Sequence, residues 1–224
     1  MRVEPDIATV ARAIGEPARA AMLLQLMDGE THTARRLAEV AGIAPSTASA
    51  HLRVLCASGL VHATDAGRRR LHRLAGPEVA QLVEALAALA PPRLPGSLQP
   101  SPPTDALLTA RICYGHLAGR LGVDIAARLR RDDVVPALEP GGTAAVPDLH
   151  HPLLAELGIR DLDPARPAVR ACVDWSHGAV HLAGALGAAL LTGLLAAGWV
   201  RRRPAGRALR ITTTGRKCLA ELGF

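Results

Sequence analysis

Aromatic side chains are almost missing: two Trp, one Tyr and one Phe make up 2% of 224 residues. A core without them must be built from Leu, Ala and Val, which favours helices over strands, where aromatic and β-branched residues prevail. That excludes an aromatic-rich all-β sandwich and a nucleic-acid platform that works by stacking bases on rings. Lysine is scarcer still, Lys217 being the one example among 26 cations, so the formal charge of +6 is carried by arginine. An alanine- and arginine-rich composition makes that charge a weak sign of any partner. The four cysteines, Cys56, Cys113, Cys172 and Cys218, show neither CxxC spacing nor disulfide density, and a reducing cytoplasm is expected. Met1 to Ala11 carries Glu4 and Asp6 and no apolar run, so no signal peptide is expected. G-x-S-x-G, HExxH, P-loop and GxGxxG patterns are all missing, and no enzyme is expected.

What the chain does have is organisation. Pro91 to Thr104, PPRLPGSLQPSPPT, holds six prolines and reads as an extended linker between residues 1–90 and 105–224. The first part is nearly neutral, with ten basic and nine acidic residues; the second has fifteen and eleven. The second part also repeats itself. HLAGRLG at His116–Gly122 returns as HLAGALG at His181–Gly187, and LAELG at Leu154–Gly158 returns at Leu219–Gly223, both at an offset of 65. Two matches in one register imply a duplicated helix–strand–helix module spanning 116–159 and 181–224. His181–Trp199 has no charged residue and is long enough to span a bilayer, but its sister segment carries Asp and Arg, so it is read as a buried helix and no membrane partner is expected. In the second copy Gly198-Trp199-Val200 ends that helix, Arg201–Arg203 lead through Pro204 to a strand over Arg207–Thr213, and Thr214-Gly215 opens the last helix, a winged-helix-like outline.

Residues 1–90 show three helical periods and then a hairpin. Pro17 starts a helix with Ala21, Leu24 and Leu26 as apolar positions. Thr33 caps a short helix that buries Leu37 and Ala38, Gly42 makes the turn, and Pro45-Ser46 open a second helix whose apolar face is Ala48, Leu52 and Leu55. Asp65-Ala66-Gly67 is a turn, with Arg69–Leu74 returning as a strand. A small residue where two helices cross, a glycine turn, and short polar residues opening the second helix are what a helix-turn-helix with a wing requires. Ser46, Thr47, Ser49, His51 and Arg53 are the candidates for major-groove and phosphate contacts, and Arg68, Arg69 and Arg70 are placed on the wing.

From Ala13 to Leu74 the run resembles the ArsR/SmtB family, through Pro17-Ala18-Arg19, Leu37-Ala38, Ser46-Thr47, Ser49, His51-Leu52, Leu55, Gly59-Leu60-Val61 and Gly67-Arg68. The resemblance covers about residues 5–90. It implies a homodimeric winged helix-turn-helix that binds a palindromic operator in double-stranded DNA, usually as a repressor until an effector binds, with Pro5–Ile14 and Pro77–Leu89 as subunit-pairing helices. The chain departs from the family pattern at Ala50, where a basic residue is common. The cysteine pair of metal-sensing members has no counterpart in Arg35–Val40, and the Asp/His set on the last helix none in Glu78–Glu84. Those two metal sites are not carried over.

Sensing is therefore expected in residues 105–224. Polar residues cluster where the repeat helices begin: Cys113, Tyr114 and His116 in copy one, and Cys172, Asp174, Trp175, His177 and His181 in copy two. If the copies pack about a pseudo-twofold axis, His116 and His181 converge, and the surrounding Gly and Ala leave space for a ligand. Three readings stay open. Cys113, His116, Cys172 and His181 could supply two thiolates and two imidazoles to zinc or another soft metal, or react with a thiol-directed agent. Tyr114, Trp175 and the histidines could line a pocket for a small organic effector. Or the cysteines are buried small hydrophobes and the histidines caps or core groups. Cys56 reads as a packed core cysteine, His150 and His151 as exposed loop residues, and Arg201–Arg203 as a solvated wing or a DNA-flanking contact. The expected fold is mainly α with small β wings: a winged helix-turn-helix followed by the duplicated domain. The expected function is sequence-specific regulation of transcription modulated by an effector; the alternative is an effector-independent DNA-binding protein whose second part makes protein contacts.

Overall fold

The computed structural model describes residues 4–91, 104–146, 148–204 and 206–224. Nearly all of the proline-rich linker lies outside the described residues. The chain divides into two compact units, one holding the described residues up to Val83 and the other Glu84–Pro91 with the described residues from Thr104 onward.

The first unit runs α1 (Ile7–Ile14), α2 (Pro17–Leu26), β1 (His32–Thr33), α3 (Ala34–Ala41), α4 (Pro45–Ala57), β2 (Val61–Ala66), β3 (Arg69–Leu74) and the start of α5 (Pro77–Leu89). Each boundary has a local cause. Pro17 stands in the first turn of α2, where Glu16 accepts from the Arg19 N–H, and Thr33 caps α3 by accepting from the Arg36 N–H at 3.2 Å. Gly42 ends α3 with φ at +67°, a conformation that costs other residues a Cβ clash. Leu37, Ala38, Ala48, Leu52 and Leu55 are buried, as the helical spacing predicts. The wing is a three-stranded antiparallel sheet in the order β1-β3-β2. Its turn is tighter than the sequence suggests: Asp65 and Ala66 still pair, with Arg70 and Arg69, and only Gly67 (φ +61°) and Arg68 turn the chain.

The second unit continues with α6 (Thr104–Thr109), β4 (Arg111–Cys113), β5 (His116–Ala118), α7 (Arg120–Arg131), β6 (Thr143–Ala144), α8 (Pro152–Glu156), β7 (Val169–Val173), β8 (Val180–Ala183), α9 (Gly184–Ala196), β9 (Val200–Arg202), β10 (Leu209–Ile211) and α10 (Thr213–Glu221). Strand β4 pairs with β5, β6-β7-β8 form a second sheet, and β9 pairs with β10. The strand expected over Arg207–Thr213 is shorter, because Thr212 leaves it to cap α10 by accepting from the Gly215 N–H at 2.9 Å. Apolar residues of α7, α8, α9 and the hairpins share one core, including Leu117, Ile125, Leu129, Leu154, Leu186 and Leu194. Helix α9 covers 13 residues of the uncharged segment, and among the described residues no helix is long and apolar enough to cross a membrane.

A hairpin followed by a helix occurs twice, beginning ahead of the two matched sequence segments. Each helix α7 and α9 is preceded by a hairpin, β4–β5 and β7–β8 respectively. Gly119 and Gly184, offset by 65, turn strand into helix with φ of +81° and +76°. Three residues on, Gly122 and Gly187 lie against the carbonyls of Leu117 and Leu182, so close that a Cβ would sit 2.7 Å and 2.0 Å from those oxygens. These glycines serve close packing of helix on hairpin. They do not leave room for a ligand, which corrects the expectation drawn from composition.

Candidate functional sites

Two sites emerge, one in each unit. In the first, α3, the Gly42 turn and α4 form the helix-turn-helix, with α4 presenting Ser46, Thr47, Ser49 and Arg53 as exposed residues. Position Ala44 offers no capping side chain, so α4 begins without a side-chain cap hydrogen bond. The Ser49 hydroxyl donates to the Pro45 carbonyl at 2.9 Å, which fixes its rotamer. Arg68, Arg69 and Arg70 are exposed on the wing as expected.

His51 is the exception in this set. It is only partly exposed, and Arg19 Nη1 lies 3.1 Å from its Nδ1, with a Glu16 carboxylate oxygen 3.7 Å from the same atom. Arginine can only donate, so this contact makes Nδ1 the acceptor and leaves the ring N–H on Nε2. Arg19 also donates to the Ala13 carbonyl at 2.5 Å and the Arg12 carbonyl at 2.8 Å. One guanidinium thus ties the end of α1 to α4 and orients His51. Sequence reasoning named His51 for DNA and missed this positioning role of Arg19.

The second site is the Cys/His cluster. Cys113 and His116 are register partners across β4–β5, and Cys172 and His181 are register partners across β7–β8. They sit on strands ahead of the helices, not on the helix heads that the spacing suggested. The histidines keep the offset of 65, whereas the cysteines are 59 apart. The difference of six is the longer second hairpin, in which Val173–Val180, an extra strand pair with a six-residue turn, stands in place of Tyr114-Gly115. All four side chains are buried, and one donor atom from each lies within 4.8 Å of all the others. His116 Nε2 and His181 Nε2 are 3.0 Å apart with the rings stacked, so one ring donates its N–H to the lone pair of the other. A hydrogen bond with Cys172, and then burial, push the Cys113 thiol up to about 12.

Beside the cluster lies a buried ionic network. Asp174 Oδ1 forms an ion pair with Arg111 Nη2 at 2.9 Å and accepts from the Ser176 hydroxyl at 2.6 Å, while Oδ2 accepts from the Gly119 N–H at 2.7 Å and stands 3.6 Å from His181 Nδ1. Burial alone would raise the Asp174 pKa, but Arg111 and these hydrogen bonds hold it well below the usual carboxylate range. Glu84 accepts from Arg207 at 2.7 Å and pairs with Arg111 at 3.5 Å. Burial again opposes ionisation, and Arg207 and then Arg111 outweigh it, so the Glu84 pKa is also lowered. Two carboxylates and two guanidiniums balance, leaving the network neutral. Sequence reading found Asp174 but missed Arg111, Glu84 and Arg207.

Tyr114 and Trp175 are not members of the cluster. Tyr114 occupies the β4–β5 turn with φ at +48°, and Trp175 packs under the Arg111 guanidinium, 4.7 Å from the ring centre. His177 bonds to Ser176 Oγ at 2.9 Å within the same turn. A pocket in this unit, about 280 Å³, is lined by Val123, Ala126 and Arg130 of α7 with Val135, Val180 and Leu182, and by none of the candidate effector residues.

Comparison with known proteins supplies the context. A helix-turn-helix domain family matches residues 14–63. YdfF, an uncharacterized HTH-type transcriptional regulator of Bacillus subtilis (strain 168), is 38% identical over 224 residues, covering 96% of this chain and 95% of the relative. The chain belongs to the HTH-type transcriptional regulators. The winged helix-turn-helix of this regulator is the fold that the ArsR/SmtB resemblance implies. Among solved structures, a homodimeric winged helix-turn-helix DNA-binding domain from Mycobacterium bovis, described as a possible ArsR-family regulator, is 29% identical and covers 40% of this chain and 89% of its own, with a TM-score of 0.35. The transcriptional repressor BigR from Xylella fastidiosa is 27% identical over 39% of this chain and 89% of its own, with a TM-score of 0.36.

Proposed function

We propose that this regulator is a dimeric, sequence-specific repressor whose operator affinity is set by an effector taken up at the Cys/His cluster of the second unit. The observation that carries the reading is the convergence of Cys113, His116, Cys172 and His181, one Cys–His pair from each copy of the repeat. A core that needed only to be filled would use apolar side chains there, since unpaired buried polar atoms cost stability. The DNA side rests on the exposed polar face of α4 and the three wing arginines. Exposed apolar residues on the outer helices, Ile7 on α1 and Leu86 and Leu89 on α5, support the subunit-pairing role implied by the family resemblance. An effector acts by binding two conformations of the dimer with different affinity, one of which spaces its recognition helices to match successive half-sites.

Fluorescence anisotropy with duplex from the gene's own upstream region tests this. Binding is expected to be tighter than to random duplex and to fall steeply with salt. Equal affinity for both duplexes removes the operator claim. An operator affinity that is the same for the wild type and a Cys113→Ser/Cys172→Ser variant, across thiol-reactive agents and metal ions, removes the effector claim.

A further inference from the structure

The second unit holds its four candidate donors in an arrangement that fits one class of ligand, and the inference rests on the cluster being the effector site of the preceding section. We propose that Cys113 Sγ, Cys172 Sγ, His116 Nε2 and His181 Nε2 form a closed tetrahedral site for a divalent, thiophilic metal ion, with Zn²⁺ as its natural occupant.

Geometry is the first argument. A tetrahedral zinc with sulfur at about 2.3 Å and nitrogen at about 2.0–2.1 Å has edges of about 3.3 Å between nitrogens and about 3.8 Å between sulfurs. The two Nε2 atoms already stand 3.0 Å apart, and all four donors lie within 4.8 Å of one another. Closure onto an ion therefore needs shifts of a fraction of an ångström at each side chain, within reach of rotamer adjustment. The backbone already sets the pairs, because each Cys faces its His across a two-stranded register.

Charge selects the valence. The site is buried, and the adjacent network of Asp174, Glu84, Arg111 and Arg207 is neutral by itself. A divalent ion held by two thiolates and two neutral imidazoles is neutral too. A monovalent ion in the same ligand set would leave a net negative charge in a buried place, which is costly. Uptake balances as one M²⁺ in and two thiol protons out, with no oxidant or reductant required.

The outer contacts also suit a metal. When His181 ligates through Nε2, its proton resides on Nδ1, the atom that faces Asp174 Oδ2 at 3.6 Å and has no hydrogen-bond partner. A small rotation closes a carboxylate–imidazole–metal chain of the kind that fixes ligating histidines. Gly122 and Gly187 bring the opposite helix onto each histidine, with the Cβ position of Gly187 only 3.1 Å from His116 Cβ and that of Gly122 3.6 Å from His181 Cβ. The packing leaves no room for an organic molecule between the four donors.

The test uses the full chain purified with reductant and chelator, then freed of both. Titration with Co²⁺ is expected to give one equivalent of intense visible bands and a near-ultraviolet thiolate-to-cobalt charge-transfer band, both abolished by one equivalent of Zn²⁺. Cys113→Ser and Cys172→Ser should each weaken Co²⁺ binding by at least about 100-fold, more than the loss of an outer hydrogen bond usually costs. A Cys56→Ser/Cys218→Ser variant keeps the folded cluster and should bind as the wild type does. A weak, octahedral-type spectrum, bands that persist in both single variants, or loss of two thiols to a Cys113–Cys172 disulfide with no metal bound would each overturn the site. Operator binding separates the two readings. Full metal loading without any change in operator affinity retains this site and removes its effector role, whereas an operator response to some other agent in a chain that takes up no metal does the reverse.

Discussion

His116 and His181 touch through their Nε2 atoms at 3.0 Å although 65 residues separate them, and each occupies the same place in one of two hairpin–helix copies. The contact is made possible by Gly122 and Gly187, which let each helix approach the histidine of the other copy. Duplication thus builds a symmetric cluster from two half-sites, neither of which is complete alone.

That packing yields a stability prediction. Gly187→Ala places a methyl 2.0 Å from the Leu182 carbonyl and 3.1 Å from His116 Cβ, and backbone cannot yield as a flexible side chain can. The variant should lose about 1–3 kcal/mol, the usual range for overpacking. Gly122→Ala, at 2.7 Å from the Leu117 carbonyl, should lose less. Urea unfolding of both variants measures the difference, and wild-type midpoints for the pair would refute the tight helix–hairpin contact.

The ionic network makes a second prediction. Arg111 is fully buried between Asp174 and Glu84, so Arg111→Met leaves Asp174 buried without its guanidinium and Glu84 with Arg207 alone. Breaking a buried pair from one side costs about 3–5 kcal/mol. Arg35→Met removes an exposed pair with Glu39 and should cost about 0–1 kcal/mol. Similar losses in the two variants, read from denaturant midpoints, would mean that the Arg111 network contributes no more than a surface bridge.

Legibility in the sequence divides along physical lines. The helix-turn-helix could be read residue by residue because its determinants are local: a Thr cap, a left-handed glycine, a proline in the first turn, and apolar spacing at Ala48, Leu52 and Leu55. The cluster could be read because duplication writes its members twice. Their secondary structure could not, since β4 and β5 are three residues each and Cys113-x-x-His116 fits a helical turn as well as a two-residue hairpin. Arg111 and Glu84 were invisible for another reason. Their pairing is non-local, and an arginine beside Ile112-Cys113 or a glutamate in an alanine-rich helix looks the same whether buried or solvated.

DNA contacts divide in a similar way between reach and positioning. Arg53 is exposed on α4, and Arg53→Ala should weaken operator binding and lower the slope of log affinity against log salt by about one if it meets a phosphate. Its thermal stability should match the wild type. Arg19→Ala instead frees His51 and the end of α1, so it should lower both operator affinity and stability. Anisotropy and thermal melts together distinguish the two, and an Arg19→Ala protein with unchanged operator affinity would show that His51 needs no positioning.

The wing carries a pH dependence of its own. His72 is buried on β3, and burial, opposed by the backbone contact from His32 and aided by Arg70, lowers its pKa below the ordinary value. The folded state therefore holds His72 neutral, while the unfolded chain takes up a proton near pH 6.5. A lowered folded pKa means stability that is fully present above about pH 6.5 and is lost as pH falls toward the folded value. Hydrogen exchange at β2 and β3 should show protection declining below about pH 6.5 once the intrinsic exchange rate is corrected for. His72→Leu removes the titrating group together with an Nδ1 that has no hydrogen-bond partner, and should flatten that decline. An equal decline in the variant would show that His72 does not set the acid sensitivity of the wing.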